Sequence, residues 1–283
     1  MIREWLDTYK PKNRDAATQA LREIMQEIAL AGLERSGFFL EAAFYGGSAL
    51  RILHGLNRFS EDLDFSLLKA DAYFSLDKHL QSIQDEFTSL GMQVAVHEKQ
   101  KSNINNIESA FLKPDTLWKE LVLENIIPQN NIDQKPNIKI KLEIDTLPPQ
   151  GFETEEKLLL KPFSFYVKCY TPADLFAGKM HALLFRKWKT NVKGRDWYDL
   201  EWYIKKGIPV HLNHFLQRAI ASKDWNKEFI STEELKQLLT NKIYHISLER
   251  VKADISRFIP DPSVLNIWSP KYFEDLIAHL KIT

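Results

Sequence analysis

The chain contains very little cysteine and no long uncharged hydrophobic segment. Among its 283 residues there is one cysteine, Cys169, which excludes an internal disulfide and a cysteine-based zinc cage. No window approaches the roughly 18 apolar residues that a transmembrane helix requires. The N-terminal segment MIREWLDTYKPKNRD also lacks the apolar region of a signal peptide. These absences predict a cytoplasmic protein without a membrane span.

The chain has no net charge either. Its 38 basic and 38 acidic side chains cancel, so any anionic partner must be bound by a local basic patch rather than by an overall field. The eight histidines show no paired spacing such as H-x-x-x-H, and no Ser/His/Asp or Cys/His signature is recognisable. A hydrophobic content of 44% with 27% charged residues is typical of an ordinary soluble globular protein.

Hydrophobic periodicity predicts alternating helices and strands in the first part of the chain. Apolar residues three and four positions apart predict amphipathic helices over residues 14–33 and 76–90. Strict alternation in NIKIKLEID, residues 137–145, predicts a strand. Leu117 and Leu121 suggest a helix before Pro128. Short apolar runs predict further strands at FFLEAAFY, DLDFSL, MQVAVHE and FYVKCY.

The second part of the chain is predicted to be helical. Thr171, Pro172 and Asp174 form the pattern of an N-cap, a proline at the first helical position and an acid in the first turn. Helical patterns continue to the end of the chain, with further caps suggested at Ser231, Ser247 and Ser269. We therefore expect an α+β protein with an α/β domain over residues 1–165 and a helical domain over residues 166–283.

A pair of aspartates is the first candidate site. Asp62 and Asp64 are two positions apart in DLDFS, so a strand directs both carboxylates to one face, whereas Glu61 points the opposite way. Two close carboxylates do not both ionise on a half-buried face without a counter-charge. Mg²⁺ supplies such a charge and supports phosphoryl transfer. A solvated strand edge is nevertheless the more common explanation of an isolated D-x-D pattern.

A glycine-serine turn and a second acidic strand favour the metal site. Gly46, Gly47 and Ser48 lie between a predicted strand and a predicted helix, where backbone N–H groups and the helix dipole can bind a phosphate. Ser48 could either cap the helix or donate to the phosphate. Glu143 and Asp145 both lie on the polar face of the NIKIKLEID strand, and either could be a third metal ligand.

The helix after Pro172 is followed by a local cluster of basic residues. Lys179 and Arg186 share one helix face, and five basic residues lie between Arg186 and Arg195 in RKWKTNVKGR. Such a cluster can bind a triphosphate or an RNA backbone, although basic residues also suit the end of a solvated helix. Asp196 and Asp199 follow on one face of the next helix, among aromatic residues that we interpret as core.

Four segments in this order resemble the AbiEii/AbiGii family of toxin nucleotidyltransferases: GGSALRILHGLNRFSEDLDF, KIKLEI, KMHAL and GRDWYDL. The resemblance extends from about residue 38 to about residue 204. It implies an N-terminal polymerase-β-like nucleotidyltransferase domain with a mixed sheet. It also implies a C-terminal helical domain that completes the cleft for the nucleotide and the acceptor.

The resemblance also implies roles for individual residues. Magnesium, or manganese in its place, would be bound by Asp62, Asp64 and Glu143. Asp62 and Asp64 would take part in catalysis together with Lys179 and Asp196. The NTP would be bound by Gly46, Gly47, Ser48, Arg58, Lys179 and Arg186.

The resemblance further implies transfer of a nucleoside monophosphate from an NTP to an acceptor hydroxyl, with release of pyrophosphate. RNA, and in particular a tRNA 3′ end, is the expected acceptor; the expected outcome is growth inhibition by a monomeric toxin with a cognate antitoxin. Three alternatives stay open: a protein or small-molecule acceptor, a non-catalytic NTP-binding regulator, and a purely structural module. The identity of the NTP also stays open, because base selection depends on the shape of the pocket.

Overall fold

The computed structural model describes residues 2–97, 116–125, 138–186 and 192–283, and it divides into two compact units. Unit 1 comprises Met1–Gly55, Phe59–Pro148 and Glu155–Cys169. Unit 2 comprises Leu56–Arg58, Pro149–Thr154 and Tyr170–Thr283.

Within its described residues, unit 1 combines four helices with a mixed β-sheet. The helices are α1 (Ile2–Thr8), α2 (Arg14–Arg35), α3 (Gly46–His54) and α4 (Asp77–Ser89), with a 3₁₀ turn at Phe38–Leu40. The strands are β1 (Ala42–Tyr45), β2 (Asp62–Leu67), β3 (Gln93–His97), β4 (Thr116–Asn125), β5 (Lys139–Asp145), β6 (Thr154–Leu159) and β7 (Phe165–Tyr170).

The sheet has seven strands in the order β3-β4-β5-β2-β1-β7-β6. Strand β2 pairs in parallel with β5 and antiparallel with β1, and β1 pairs in parallel with β7. Strand β4 is antiparallel to both β3 and β5. Strand β2, which carries the two aspartates, therefore lies inside the sheet between β5 and β1 rather than at an edge.

Local sequence explains how α2 begins and how closely it packs. The side chain of Asn13 accepts a hydrogen bond from the backbone N–H of Ala16 at 2.8 Å and so caps the helix. Farther along α2, a Cβ atom at Gly32 would lie 2.6 Å from the Cα atom of Ile83 in α4. The glycine therefore permits contact between the two helix backbones.

Unit 2 is mainly helical. Its helices are α5 (Pro172–Phe185), α6 (Gly194–Lys205), α7 (Leu212–Ala221), α8 (Thr232–His245), α9 (Leu248–Ile255) and α10 (Pro270–Ala278), with 3₁₀ turns at Ser256–Phe258 and Pro262–Ile267. Helix α5 begins where Thr171 was predicted to cap it, because the Thr171 hydroxyl accepts from the N–H of Asp174. The ring of Phe176 in α5 stacks on Tyr203 in α6 at a centroid distance of 4.1 Å, which confirms Tyr203 as core.

Two local predictions require correction. Residues 117 and 121 lie in β4 and not in a helix; their four-residue spacing is compatible with both structures, and pairing with β3 and β5 decides for the strand. The run FFLEAAFY forms a strand only over Ala42–Tyr45, since its first residues form the 3₁₀ turn. Within the described ranges, none of the helices has the length and apolar character needed to cross a membrane.

Candidate functional site

The pairing of β2 with β5 brings three carboxylates together in unit 1. Asp64 is in register with Glu143, and Asp62 is in register with Lys141. Neighbouring strands lie about 4.8 Å apart, and residues in register in a parallel pair project to the same face. The carboxylates of Asp62, Asp64 and Glu143 therefore share one face over two adjacent strands, and we refer to these three residues as the acidic set.

Asp145 occupies a different environment from Glu143. It is in register with Ser66, which lies two residues beyond Asp64 along β2. Its side chain is buried, at 5% exposure, and one carboxylate oxygen accepts a hydrogen bond from the N–H of Leu147 at 3.2 Å. Asp145 thus supports the turn after β5, whereas Glu143 lies directly beside Asp64.

Gly46 allows Asp64 to approach the start of α3. The residue has φ +81°, and a Cβ atom there would lie 2.9 Å from Cγ of Asp64 and closer still to its Oδ2 atom. Tyr45, the preceding residue, is in register with Asp64 across the β1–β2 pair. The Asp64 carboxylate is consequently held against the backbone at the N-terminus of α3, where the helix dipole favours negative charge.

Ser48 is a buried link between α3 and β2. Its hydroxyl donates a hydrogen bond to the backbone carbonyl of Asp62. The side-chain amide of Gln26 approaches the same hydroxyl at 3.4 Å and the carbonyl of Ser60 at 3.2 Å. This arrangement joins the glycine turn to the first residue of the aspartate strand. The binding of phosphate by Ser48 stays a prediction.

A lysine neutralises part of the acidic set. The Lys141 ammonium forms an ion pair with Glu143 on the same face of β5, and Lys141 is also in register with Asp62. A cation bound by Glu143 would therefore have to displace Lys141, which is a third exposed and can move toward solvent.

Unit 2 contains a buried cluster of opposite charges. The Arg58 guanidinium donates two hydrogen bonds of 2.6 Å to the two carboxylate oxygens of Asp199. The Lys179 ammonium lies 2.9 Å from Asp199 and 3.6 Å from Asp196. Arg186 approaches Asp196 from the other side, at 3.7 Å. Two carboxylates on one face of α6 thus hold three cationic groups, and we refer to these five residues as the charged cluster.

Burial governs the ionisation of this cluster. Asp199 and Arg58 are 0% and 1% exposed. Burial opposes the charge on Asp199, but the adjacent Arg58 and Lys179 outweigh it and hold the pKa of the carboxyl below its usual value. Nearby, burial and the charges of Arg186 and Arg195 lower the pKa of Lys193 to about 8. Lys187 and Lys189 of the predicted basic patch lie outside the described residues.

The model of the family described as nucleotidyl transferase AbiEii toxin, type IV toxin–antitoxin system, matches residues 28–278. The chain belongs to the AbiEii family. It is therefore a nucleotidyltransferase of a toxin family, as the sequence motifs suggested.

The solved structures show that this AbiEii-family chain shares its fold with a known toxin. MenT4, a nucleotidyltransferase toxin from Mycobacterium tuberculosis H37Rv, aligns with a TM-score of 0.61 over 98% of this chain and 88% of that chain, at 15% identity. This likeness confirms the predicted α+β fold class. JHP933 from Helicobacter pylori aligns with a TM-score of 0.49 over 92% and 88% of the two chains, at 17% identity. No curated protein matches the chain.

The acidic set has the chemistry that a nucleotidyltransferase requires of a metal site. Enzymes of this family use an NTP and a divalent metal ion, and hard cations such as Mg²⁺ prefer carboxylate oxygens. Asp62, Asp64 and Glu143 supply three such groups on one face, and Gly46 leaves space for the Asp64 carboxylate at the turn. The donor chemistry of these residues therefore fits a divalent metal ion, and Glu143 has to leave Lys141 and turn toward the two aspartates to complete the site.

Two contributors to these sites were not predicted from the sequence. The sequence places Asp199 on the same helix face as Asp196 without predicting a role for it, yet it is the carboxylate that contacts both Arg58 and Lys179. Lys141 is not among the site residues that the sequence predicts, yet it pairs directly with Glu143. The three-residue spacing of Asp196 and Asp199 was the available signal for the first, and nothing local indicated the partner of Arg58.

Proposed function

We propose that this AbiEii-family toxin transfers a nucleoside monophosphate from an NTP to a hydroxyl group of an RNA, with a tRNA 3′ end as the expected acceptor. The observation that carries the proposal is the register of β2 with β5, which puts Asp62, Asp64 and Glu143 on one face beside the glycine turn. A solvated sheet edge would not explain this arrangement, because β2 is an interior strand.

The acidic set would hold Mg²⁺ in this reaction. The bound ion would supply charge neutralisation for the phosphate oxygens of the NTP. The chain itself would position the metal ligands, since Asp64 is held against the start of α3 and Ser48 joins α3 to the carbonyl of Asp62. Backbone N–H groups at Gly46 and Gly47 would bind a phosphate at the N-terminus of the helix.

We assign the binding of the triphosphate to Lys179 and Arg186, and we retain Asp196 as a catalytic residue near the nucleotide or the acceptor hydroxyl. Their geometry supports these roles, since Asp196 and Asp199 restrain the Lys179 ammonium from two sides. The resemblance implies that Arg58 binds the nucleotide, but we propose a different role for it. The Nε–Nη2 edge of its guanidinium is bonded to both carboxylate oxygens of Asp199 and the side chain is 1% exposed, so it would position Asp199 rather than touch the nucleotide.

RNA is the favoured acceptor because the basic residues of this neutral chain are locally concentrated. Five of them lie between Arg186 and Arg195, and such clusters bind phosphodiester backbones. The toxin–antitoxin family further implies a cognate antitoxin as partner and inhibition of growth as the consequence of transfer. We retain the monomer as the proposed oligomeric state.

The proposal can be tested by incubating the purified chain with total RNA, Mg²⁺ and each of the four α-labelled NTPs in turn. We expect one NTP to label a discrete RNA species, and Asp64→Asn to remove the labelling. Glu61→Gln is the matched control, because Glu61 is a neighbouring carboxylate that pairs with Arg22 at 3.7 Å, outside the acidic set. It should retain labelling within about twofold of the unmodified chain.

The same assay distinguishes the alternatives. Label in a protein or a small molecule, but not in RNA, would replace the proposed acceptor and retain the transfer reaction. NTP binding with no label transferred to any fraction of a cell extract would overturn the proposal in favour of a nucleotide-binding regulator. Loss of labelling in Glu61→Gln together with Asp64→Asn would also count against it, since the effect would then not be specific to the acidic set.

A further inference from the structure

A second group of potential metal ligands lies elsewhere in unit 1. His54 is the last residue of α3, Glu155 lies in β6 and Cys169 lies in β7. One ligand atom of each side chain lies within 4.8 Å of the corresponding atoms of the other two. The three residues come from three separate elements, so the group is created by the fold and not by a local motif.

The polar atoms of this group are buried but incompletely satisfied. The His54 side chain is 9% exposed, and its Nε2 atom has no hydrogen-bond partner. It faces Oε1 of Glu155 at 4.0 Å. That oxygen is also buried without a hydrogen bond, although the Lys157 ammonium lies 3.1 Å away as an ion-pair partner. The His54 nitrogen is therefore a buried polar atom without a hydrogen bond, and a bound ion is one of the partners that explain such an atom.

The protonation state of His54 suits a metal ion as that partner. Burial lowers the pKa of His54 and thus favours the neutral imidazole, which is the form that binds metals. A neutral ring does not form a strong ion pair with Glu155. Burial raises the pKa of the Cys169 thiol to about 12, so a metal ion has to displace the proton of this thiol in order to bind its sulfur.

We infer that His54, Glu155 and Cys169 bind one zinc ion, with a water molecule as the fourth ligand. One imidazole nitrogen, one carboxylate oxygen and one thiolate sulfur are the donors that Zn²⁺ accepts, whereas Mg²⁺ requires oxygen ligands. Binding converts the Cys169 thiol to the thiolate and releases its proton to solvent. The site is therefore chemically distinct from the all-carboxylate acidic set.

The distances allow this coordination after small side-chain movements. Bonds of about 2.3 Å to sulfur and about 2.0 Å to nitrogen and oxygen place tetrahedral ligand atoms roughly 3.3–3.6 Å apart. The described separations of up to 4.8 Å would have to contract by about 1 Å, which rotations of the His54 and Glu155 side chains can provide. The Lys157 ammonium must release Glu155 when the Glu155 side chain rotates. The Lys157 side chain is about a third exposed, so it can turn toward solvent.

The position of the group suggests a structural role. Helix α3 has nine residues and rises about 1.5 Å per residue, so its two ends are about 12 Å apart. The zinc ion would lie at the C-terminus, where the helix dipole favours cations, and would attach α3 to β6 and β7. The opposite end of the same helix is the glycine turn beside Asp64. Zinc would thus hold in place the helix that presents this turn.

The inference can be tested by metal titration of the full chain after removal of any affinity tag and of bound metal. The experiment uses the Asp62→Asn, Asp64→Asn background, so that binding to the acidic set does not contribute. We expect one equivalent of zinc, and with cobalt a sulfur-to-metal charge-transfer band in the near ultraviolet. Both should be lost in His54→Gln and in Cys169→Ser. The exposed residue His279 provides the matched control, and His279→Gln should bind as the background does.

Lys157→Gln gives a test that does not depend on removing a ligand. Without its competing ammonium, Glu155 is more available, so the affinity for zinc should increase several-fold. Zinc should also raise the Tm of the background protein and of Lys157→Gln, but not that of His54→Gln. Absence of stoichiometric zinc binding, or binding that is unchanged in His54→Gln, would overturn the inference. A cobalt complex without the charge-transfer band would do so as well, because it would exclude Cys169 as a ligand.

Discussion

The Asp64 carboxylate occupies the space that a side chain at Gly46 would need. A Cβ atom there would lie 2.9 Å from Cγ of Asp64 and closer still to Oδ2, and the backbone of Gly46 has φ +81°. Glycine is therefore required for two separate reasons: the left-handed backbone conformation and the approach of the carboxylate. The relationship connects the turn at the start of α3 with the acidic set on β2.

Gly46→Ala should consequently abolish nucleotide transfer while leaving the chain folded. The new methyl group would displace the Asp64 carboxylate, which can rotate away, and its 3.0 Å contact with Cβ of Asp64 needs only a shift of a few tenths of an ångström. We expect a loss of activity of more than about 100-fold, because a small misplacement of a catalytic group is sufficient for such an effect. The measurement is RNA labelling with the NTP that the chain uses, together with urea unfolding.

Gly55→Ala is the matched control for this substitution. Gly55 has a similar backbone conformation, with φ +73°, but its Cβ position has no atom within 4 Å. Both variants should lose about 1–2 kcal/mol of stability through the left-handed backbone, and only Gly46→Ala should lose activity. Equal activities in the two variants would show that the contact with Asp64 is not important for transfer.

A second prediction concerns the third carboxylate of the metal site. Glu143→Gln should reduce transfer by at least about tenfold and should raise the concentration of Mg²⁺ needed for half-maximal rate. Asp145→Asn should have a much smaller effect, because asparagine keeps an oxygen that can accept the hydrogen bond from Leu147. The measurement is a Mg²⁺ titration of the rate for each variant. A larger Mg²⁺ requirement in Asp145→Asn than in Glu143→Gln would reverse the assignment.

The elements of this site were largely predictable from the sequence, but their pairing was not. Alternation of polar and apolar residues located β2 and β5, because each strand has one buried face. The choice between Glu143 and Asp145 depends on the register with Asp64, and strands that are far apart in the sequence carry no local record of their register. Only the pairing itself distinguishes a ligand beside Asp64 from a buried turn residue.

The same limit applies to contacts between distant side chains. Arg58 was recognised as part of a motif, but its partner Asp199 is 141 positions away, so no spacing rule connects them. His54, Glu155 and Cys169 lie on a helix and two strands, and a search for paired histidines or cysteines could not find them. Conversely, the caps at Thr171 and Ser231 were predictable, because an N-cap bonds to residues within the next turn.

A third prediction concerns the buried pair of Arg58 and Asp199. Asp199→Asn leaves the Arg58 guanidinium buried without its counter-charge, and removing one partner of such a pair costs about 3–5 kcal/mol. The folded state lowers the pKa of Asp199, so its contribution to stability is present above the pKa of the unfolded state, about 3.9. That contribution is lost as the pH falls through the lower folded-state value.

The difference in unfolding free energy between the unmodified chain and Asp199→Asn should therefore be largest near neutral pH and should decrease below about pH 4. Urea unfolding at a series of pH values measures it. Asp275→Asn is the control. Asp275 forms an ion pair with Lys271 at 2.8 Å, but both side chains are exposed. We therefore expect this variant to have nearly the same unfolding free energy as the unmodified chain at every pH. A difference for Asp199→Asn that does not depend on pH would contradict the assignment of the buried charge.

A fourth prediction concerns the glycine that begins α6, the helix that carries Asp196 and Asp199. A Cβ atom at Gly194 would lie 3.0 Å from the backbone nitrogen of Ile255 in α9 and closer still to the carbonyl oxygen of Val251. Backbone atoms cannot rotate away as a side chain can, so Gly194→Ala must move one helix relative to the other. We expect a loss of several kcal/mol in unfolding free energy and, since α6 holds Lys179 and Arg186, a loss of nucleotide transfer.

Gly178→Ala separates this steric effect from the general effect of replacing a helical glycine. Gly178 lies in α5 beside Lys179, and its Cβ position has only an ordinary contact, 3.9 Å from Nε of Arg218. Alanine is favoured over glycine inside a helix by about 0.5–1 kcal/mol, so this variant should be as stable as the unmodified chain or more stable, with its activity retained. Urea unfolding of both variants is the measurement. A similar loss of stability in the two variants would show that the close approach of α6 and α9 is not the reason why residue 194 must be glycine.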